Sequence, residues 1–296
     1  MSTPVRIVMP DGVELMGDLY LPSGAGSHPA VIELTPYRAA DRSKAGAVYT
    51  ARGFIYLAVD ARGRYRSGGD WEPLEDLADY PVVVEWLRSQ PRCNGRVGAR
   101  GHSYAAHAAL RAALDGATGL EAVVSLSLHG PAFRGGAFEV QRARWLMELA
   151  GRVSESPEDR EEWGAGRFGS WSSENIVEPT YDYELHAPPP PDPDPDPPEG
   201  EIDAVRRRPF SEFDLRIGVR ADALRRWVSA DVSYWSTRSL AQAPALPCLH
   251  VTGWWDRNAA GAAHLYRAMC SDSHQQLVIG PWTCRAEAPD LRDLPE

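Results

Sequence analysis

Apolar runs and helical patterns alternate along the first part of the chain. Residues 5–9 and 15–21 are apolar stretches on either side of Pro10-Asp11-Gly12, which is typical of a tight turn, and they predict an antiparallel hairpin. Further apolar runs predict strands at residues 30–34, 54–59, 96–100 and 122–128. Apolar positions at helical spacing lie between them, at residues 41–52, 74–89 and 104–115. This alternation predicts an α/β fold with a mostly parallel twisted sheet and helices on both faces.

The middle of the chain has a different pattern. Residues 131–235 are helical in periodicity and rich in tryptophan, and the strand pattern returns only after them, at residues 246–251 and 276–279 with a helix over 259–270 between. We therefore predict a discontinuous α/β core made of residues 1–130 and 236–296. Residues 131–235 would form an inserted helical cap.

A segment rich in proline and aspartate, residues 187–199, interrupts the predicted cap. Pro188 to Pro198 contains only these two residue types, so it lacks most of the N–H donors that a sheet or helix needs. At about 3.1 Å per residue such a run extends over roughly 34 Å in water. We expect a solvated linker; a proline motif that binds a partner is the alternative.

Charge and cysteine content narrow the classes of function. The chain has 31 Lys+Arg against 41 Asp+Glu, a net charge of −10, whereas proteins that bind nucleic acid need a basic face. No apolar run approaches the ~20 residues of a membrane span, and the amino terminus lacks the apolar core of a secretory signal, so we expect a cytoplasmic protein. The four cysteines form no CxxC pair or Cys/His cluster, and we therefore expect no metal and no cofactor. Nothing in the sequence indicates an oligomeric state.

The strongest chemical signal is Gly101-His102-Ser103-Tyr104-Ala105, which lies between a predicted strand and a predicted helix. A serine on such a sharp turn, with small residues around it, is typical of a nucleophile elbow. The amino end of the following helix would direct its N–H groups at the reacting oxygen. The alternative role for Ser103 is an ordinary helix N-cap.

A carboxylate follows a later strand of the same predicted sheet. Asp256 comes after Trp254-Trp255, where the acid of a Ser–Asp–His triad would come in chain order. It could also cap the helix predicted over residues 259–270, and the two roles are compatible.

These motifs resemble the cocaine esterase/X-Pro dipeptidyl-peptidase family of α/β-hydrolases, also described as CocE/NonD-type acyl esterases. The resemblance covers both ends of the predicted core and the start of the cap. The matching stretches in chain order are Asp11-Gly12-Val13, Thr35-Pro36-Tyr37, Asp60-Ala61-Arg62-Gly63, Val84-Glu85-Trp86-Leu87, Gln90-Pro91, Cys93-Asn94-Gly95-Arg96-Val97-Gly98, Gly101-His102-Ser103-Tyr104, Phe133-Arg134-Gly135-Gly136-Ala137-Phe138, Gly253-Trp254-Trp255-Asp256 and Gly280-Pro281-Trp282-Thr283.

The resemblance implies an α/β-hydrolase fold and a role for each matching residue. Ser103 would be the acylated nucleophile and Asp256 the triad acid. The Tyr37 hydroxyl and the Tyr104 N–H would form the oxyanion hole, although Tyr37 could instead be a core aromatic residue. The candidates for lining the substrate pocket are His102, His129, Trp254, Trp255 and Trp282.

The pattern departs from the family at the general base. The family motif ends Gly-Pro-Trp-Thr-His, and this chain has Cys284 at the position of that histidine. A thiol, with an ordinary pKa near 8.5, is mostly protonated at neutral pH and is a poor base. His129, at the end of a predicted strand, could relay a proton instead, as could His102 beside the serine. Arg92 also replaces a family tryptophan, and because the sequence ends twelve residues after Cys284 we expect it to lack the family's carboxyl-terminal jelly-roll domain.

Three functions remain open from the sequence. The first is a serine hydrolase that cleaves an ester or amide of a small hydrophobic molecule through an acyl-enzyme. The second is a pseudo-hydrolase of specialised metabolism that binds a ligand or catalyses a step without serine acylation, such as a cyclisation or dehydration. The third is an interaction protein whose proline–aspartate segment docks a partner. The fold does not distinguish them, because only the site does.

Overall fold

The computed structural model describes residues 2–71, 76–114, 116, 119–128, 245–256, 258–269 and 274–282. These residues all belong to one compact unit, which comprises Met1–Arg134 and Asp231–Glu296. The cap predicted over residues 131–235 and its linker over 187–199 lie outside the described residues. Cys284 and His129 lie outside them as well.

In the described part of the chain, eight strands form one mixed sheet. They are β1 (Ser2–Val8), β2 (Glu14–Tyr20), β3 (His28–Thr35), β4 (Ile55–Asp60), β5 (Cys93–His102), β6 (Leu120–Leu126), β7 (Cys248–Gly253) and β8 (Gln275–Gly280). Their order in the sheet is β1-β2-β4-β3-β5-β6-β7-β8. The predicted hairpin is confirmed as antiparallel β1–β2, β2 runs antiparallel to β4, and all other neighbours are parallel. Strands β6 and β7 are neighbours although residues 127–247 separate them in sequence.

Within the residues that the structure describes, four helices pack against this sheet: α1 (Ser43–Ala51), α2 (Tyr80–Arg88), α3 (Tyr104–Leu114) and α4 (Ala259–Met269). The helix predicted from residue 74 begins instead at Tyr80, after a short 3-10 turn over Asp76–Asp79. Pro81 explains this start, because its missing N–H and fixed φ suit the first turn of a helix. In the described part of the chain, no helix combines the length and the apolar character that a bilayer crossing requires.

Side chains of β5 alternate between two covered faces of the sheet. A Cβ on Gly101 would overlap the backbone of α3, whereas the Arg100 guanidinium lies 5.9 Å from the ring of Tyr49 in α1. Helices α1 and α3 therefore cover opposite faces, as predicted. Because both faces are covered, all six residues of β4 are buried.

A buried charged cluster joins β3 to β5 on the α1 face. Glu33 is fully buried and accepts a hydrogen bond from the Tyr56 hydroxyl (2.6 Å), while Arg100 Nη1 lies 3.2 Å from its carboxylate. Arg42 Nε adds a second cation at 3.4 Å. Burial raises the pKa of Glu33, but these cations, the Tyr56 hydroxyl and His102 together hold it below its usual value. The cluster thus fixes the relative position of the two strands that lead to Tyr37 and Ser103.

Candidate active site

Ser103 lies at the sharp turn between the end of β5 and the start of α3. Its φ is 56°, in the left-handed region that a non-glycine residue enters only at a cost of about 1–3 kcal/mol. Two hydrogen bonds hold it there: its N–H donates to the Leu126 carbonyl at the end of β6 (2.9 Å), and its carbonyl accepts from the His107 N–H (3.1 Å). The strand, turn and helix therefore form the elbow that the sequence predicts.

The glycine two residues before the serine makes this turn possible. A Cβ at Gly101 would overlap the carbonyl group of Ala105 and the amide nitrogen of Ala106, both on α3. Ala105 and Ala106 are themselves fully buried against the sheet. The small residues in the motif are thus explained by the close approach of the helix to the strand.

Tyr37 and Tyr104 come together beside the elbow. Tyr37 follows β3, and its hydroxyl accepts a hydrogen bond of 3.2 Å from the Tyr104 N–H at the first residue of α3. The Tyr37 N–H in turn donates to Thr35 Oγ1 at 3.1 Å. The two groups that the family resemblance assigns to an oxyanion hole are therefore adjacent, although 67 positions separate them in sequence.

Aromatic contacts fix the start of α3. The ring of Tyr104 stacks on His107, with centroids 5.9 Å apart and planes 6° from parallel, and meets Trp71 edge to face at 6.0 Å. Because both Tyr104 and His107 are buried, the backbone N–H of Tyr104 is held in one orientation. His107 thus packs in the core.

Asp256 follows β7 and is 6% exposed. One carboxylate oxygen accepts from Thr252 Oγ1 (2.9 Å) and the other from the Asn258 N–H (2.8 Å). Its backbone carbonyl accepts from the Ala259 N–H (3.0 Å) at the start of α4. The residue therefore stabilises the turn that precedes α4, and its carboxylate has a fixed orientation.

Two consecutive residues at the end of β6 link the serine to the carboxylate. Leu126 accepts the Ser103 N–H, as noted above, and the next residue, Ser127, accepts from Asn258 Nδ2 through both its carbonyl and its hydroxyl, each at 3.2 Å. Asn258 in turn donates to Asp256. Sequence reasoning missed Asn258 and Ser127; the Asp-x-Asn spacing of an Asx turn was the available signal.

Three tryptophans surround the Asp256 turn. Trp254 and Trp255 are 64% and 55% exposed, which is unusual for side chains of this size. The Trp282 carbonyl accepts from the Trp255 N–H at 3.3 Å. A Cβ at Gly253 or Gly280 would overlap Trp282, so the two glycines that end β7 and β8 make room for it. The chain at Trp282 therefore passes beside the backbone of Trp255, the residue before Asp256.

The His102 side chain lies on the α1 face of β5, opposite to the face that α3 covers. Since side chains alternate along a strand, it shares the face of Arg100, and it is close enough to Glu33 to lower the pKa of that carboxyl. Its imidazole thus belongs beside the charged cluster. Within the described residues, no group of three or more His, Cys, Asp or Glu side chains could hold a metal ion.

Comparison with known proteins places this chain in a family. The model of the X-Pro dipeptidyl-peptidase (S15) family matches residues 11–284. Cocaine esterase from Rhodococcus sp. is 25% identical over 95% of this chain, which covers 48% of that protein. The chain therefore spans about half the length of this relative.

Solved structures share the fold. An aminopeptidase from a Thaumarchaeota archaeon superposes with a TM-score of 0.65 at 24% identity, over 97% of this chain and 50% of the other. An α-amino acid ester hydrolase superposes with a TM-score of 0.63 at 23% identity, over 96% and 48%. The predicted α/β-hydrolase fold is thereby confirmed, and the chain belongs to the X-Pro dipeptidyl-peptidase (S15) family.

Proposed function

We propose that the protein is a serine hydrolase that cleaves an ester or an amide through an acyl-enzyme on Ser103. The observation that supports this most is the pairing of the Tyr37 hydroxyl with the Tyr104 N–H directly beside the left-handed turn at Ser103. Each group carries a hydrogen that it can donate to a ligand oxygen. Such donors are what acyl transfer needs, because its transition state places negative charge on the former carbonyl oxygen.

The chemistry follows from these positions. Ser103 Oγ attacks the substrate carbonyl carbon and gives up its proton to a base. The Tyr104 N–H exchanges its hydrogen bond to the Tyr37 hydroxyl oxygen for one to the oxyanion, and the Tyr37 hydroxyl donates to the same oxyanion. Collapse of the tetrahedral intermediate breaks the bond to the alcohol or amine, which leaves with that proton. Water then attacks the acyl carbon and gives a proton to the base. Collapse of the second tetrahedral intermediate breaks the bond to Ser103 Oγ, which takes up that proton, and the carboxylic acid is released.

Asp256 would orient the group that acts as base. Its carboxylate is held by Thr252 and Asn258, and the chain passes it at Trp282, two residues before Cys284. A thiolate at Cys284 could accept the serine proton, but at pH 7.5 only about a tenth of ordinary thiols are ionised.

The substitution of cysteine for histidine supports a second candidate. Removing the histidine of a triad costs several powers of ten in rate while the fold and the oxyanion donors persist. In that case the chain would be a pseudo-hydrolase that binds the same kind of carbonyl compound or acts on it without acylating Ser103.

The substrate would be a small molecule with an apolar acyl group. Trp254 and Trp255 present large exposed rings next to Asp256, and an apolar group that covers them would leave water favourably. The relatives are named as an esterase, an amino acid ester hydrolase and an aminopeptidase. Each name implies cleavage at a carbonyl carbon, and the names differ in the group that leaves. They therefore support a reaction class and no single substrate.

Labelling with a fluorophosphonate probe separates the two candidates. The experiment compares the wild type, Cys284→His and Ser103→Ala, and maps the labelled peptide by mass spectrometry. The hydrolase proposal expects labelling of wild-type Ser103, faster labelling in Cys284→His and none in Ser103→Ala. Labelling of Cys284→His alone would identify a pseudo-hydrolase. Absence of labelling in all three would overturn both.

A further inference from the structure

At least three hydrogen bonds hold the turn that carries Tyr37. The Pro36 carbonyl accepts from Arg64 Nε (3.3 Å), and the Tyr37 N–H donates to Thr35, as described above. The third bond is the shortest: the Ala39 N–H donates to Asp60 Oδ1 at 2.6 Å. Between Tyr37 and Ala39 lies Arg38, whose φ of 77° makes the turn strained. The strained turn needs external partners to persist.

Asp60 is placed to be the main partner. It ends β4 directly opposite Thr35 in the parallel register with β3, and it is fully buried. Its second carboxylate oxygen accepts from Arg66 Nε at 3.0 Å, and its backbone carbonyl accepts from the Ser67 hydroxyl at 2.6 Å. Arg66 also binds Asp18 of β2 at 2.7 Å. The Asp60 carboxylate thus connects the turn over residues 36–39 to the centre of the sheet.

The ionised Asp60 carboxylate does not itself increase the stability of the fold at neutral pH. Burial raises the pKa of Asp60 above 3.8, with Asp18 acting in the same direction, while the Ala39 N–H and Arg66 oppose the rise. Because the folded pKa is raised, ionised Asp60 reduces stability as the pH rises above 3.8. Neutral pH therefore lies on the unfavourable side, and a buried ion pair of this kind is often replaceable by apolar groups.

We propose that Asp60 is a positioning residue for the oxyanion hole. By accepting the Ala39 N–H it holds the turn over residues 36–39 so that the Tyr37 hydroxyl stays beside the Tyr104 N–H. The inference rests on the proposed function and adds to it a residue that touches neither substrate nor Ser103. What matters for the turn is an acceptor at position 60, while the charge serves the pair with Arg66.

Two substitutions separate the acceptor from the ion pair. Both Asp60→Ala and Arg66→Met remove the contact between Asp60 and Arg66, but only Asp60→Ala removes the acceptor of the Ala39 N–H. Asp60→Asn/Arg66→Met keeps an amide oxygen at position 60 and is the isosteric variant for the case that Asp60→Ala does not fold. The background is whichever of the wild type and Cys284→His labels with fluorophosphonate.

The main readout is the labelling rate at saturating probe, together with the half-saturating concentration. We expect Arg66→Met and Asp60→Asn/Arg66→Met to label at the reference rate even where their thermal midpoints fall. Asp60→Ala should label at least about tenfold more slowly at an unchanged half-saturating concentration, since it loosens one of two oxyanion donors. Rates that follow the thermal midpoints across all variants would overturn the proposal.

A second readout does not depend on labelling. The Tyr104 amide hydrogen is bonded to the Tyr37 hydroxyl, so its exchange with deuterium reports whether the two remain paired. We expect faster exchange in Asp60→Ala than in Arg66→Met. Equal exchange would contradict the positioning role. If neither background labels, the proposed function fails, and the exchange rates still decide the role of Asp60.

Discussion

Tyr37 and Tyr104 supply two different kinds of donor from two neighbouring strands of the sheet. The hydroxyl can rotate toward a ligand, whereas the amide direction is fixed by helix α3 and by the stacked ring of Tyr104. A developing oxyanion would thus meet one adaptable and one rigid partner. Loss of either donor should slow the acylation of Ser103 without preventing the binding of a ligand.

The first prediction concerns the hydroxyl. Tyr37→Phe keeps the ring and removes the donor, so the saturating labelling rate of Ser103 should fall by about 100-fold. Tyr20→Phe is the matched control, because Tyr20 is a buried tyrosine of β2, three strands away from β5, and its variant should label normally. An unchanged rate in Tyr37→Phe would remove this hydroxyl from the oxyanion hole.

The second prediction concerns the base. If a thiolate accepts the serine proton, wild-type labelling should rise with pH through the ordinary thiol range near 8.5. In Cys284→His the rise should move to the imidazole range near 6.5, because the neutral ring is then the acceptor. Labelling rates measured from pH 5.5 to about 9.5 check this. Superimposable profiles would show that residue 284 is not the base.

At the scale of elements, two devices bring the site together: the close contact of α3 with β5 at Gly101, and the Glu33 cluster between β3 and β5. The first was predictable, because Gly-x-Ser-x-Ala between a strand and a helix has a local cause. The second was not, since Glu33 and Arg100 are polar positions inside apolar strands and their pairing depends on a register that no local pattern contains. The Asp60 contact with Ala39 escaped prediction for the same reason.

The boundaries of the helices and strands also separate into those that local sequence determines and those that depend on the rest of the fold. The hairpin and the strand–helix order follow from periodicity and turn residues, so they were correct apart from small shifts at the ends. The start of α2 was wrong because apolar spacing was weighed above Pro81. The placement of Asn258 against Ser127 needed β6 and β7 to be neighbours, which depends on the whole sheet.

The third prediction tests the Glu33 cluster. The folded-state pKa of Glu33 is lowered, so its ionised form contributes stability that is present above the unfolded value of 4.5 and lost as the pH falls through the folded value. Glu33→Gln should therefore reduce the free energy of unfolding at pH 7 by about 3–5 kcal/mol, and the loss should shrink in acid. Urea unfolding at several pH values measures it.

Glu121→Gln is the control for that measurement. Glu121 also pairs with an arginine of β5, Arg96, at 2.9 Å, but both side chains are exposed. An exposed pair contributes about 0–1 kcal/mol, so this variant should unfold nearly as the wild type does. Equal losses in the two variants would show that the buried cluster has no special role in joining β3 to β5.

At the scale of the whole molecule, the chain covers only part of the length of its relatives, while its match to the family extends from position 11 to position 284. That match includes Tyr37, Ser103 and Tyr104, and it extends to Asp256 and Cys284. The net charge of −10 agrees with a small-molecule substrate better than with a polyanionic one.

The fourth prediction concerns the proline–aspartate segment. If Pro188 to Pro198 is a solvated linker, replacing it with a Gly/Ser segment of equal length should leave Ser103 labelling and the thermal midpoint nearly unchanged. Calorimetry and the labelling rate measure both. A loss of labelling with an unchanged midpoint would instead give the segment a role at the site, and loss of a bound partner would favour the interaction function.

The central claim is that Ser103, Tyr37 and Tyr104 form one site for a tetrahedral oxyanion. A crystal structure of the protein with an arylboronic acid tests it most directly, because a boronate on serine mimics that intermediate and does not require turnover. We predict boron bonded to Ser103 Oγ, with one boronate oxygen within about 3 Å of both the Tyr37 hydroxyl and the Tyr104 nitrogen. A boronate on Ser103 whose oxygens avoid both groups, or an unmodified Ser103 at saturating boronic acid, would contradict the account.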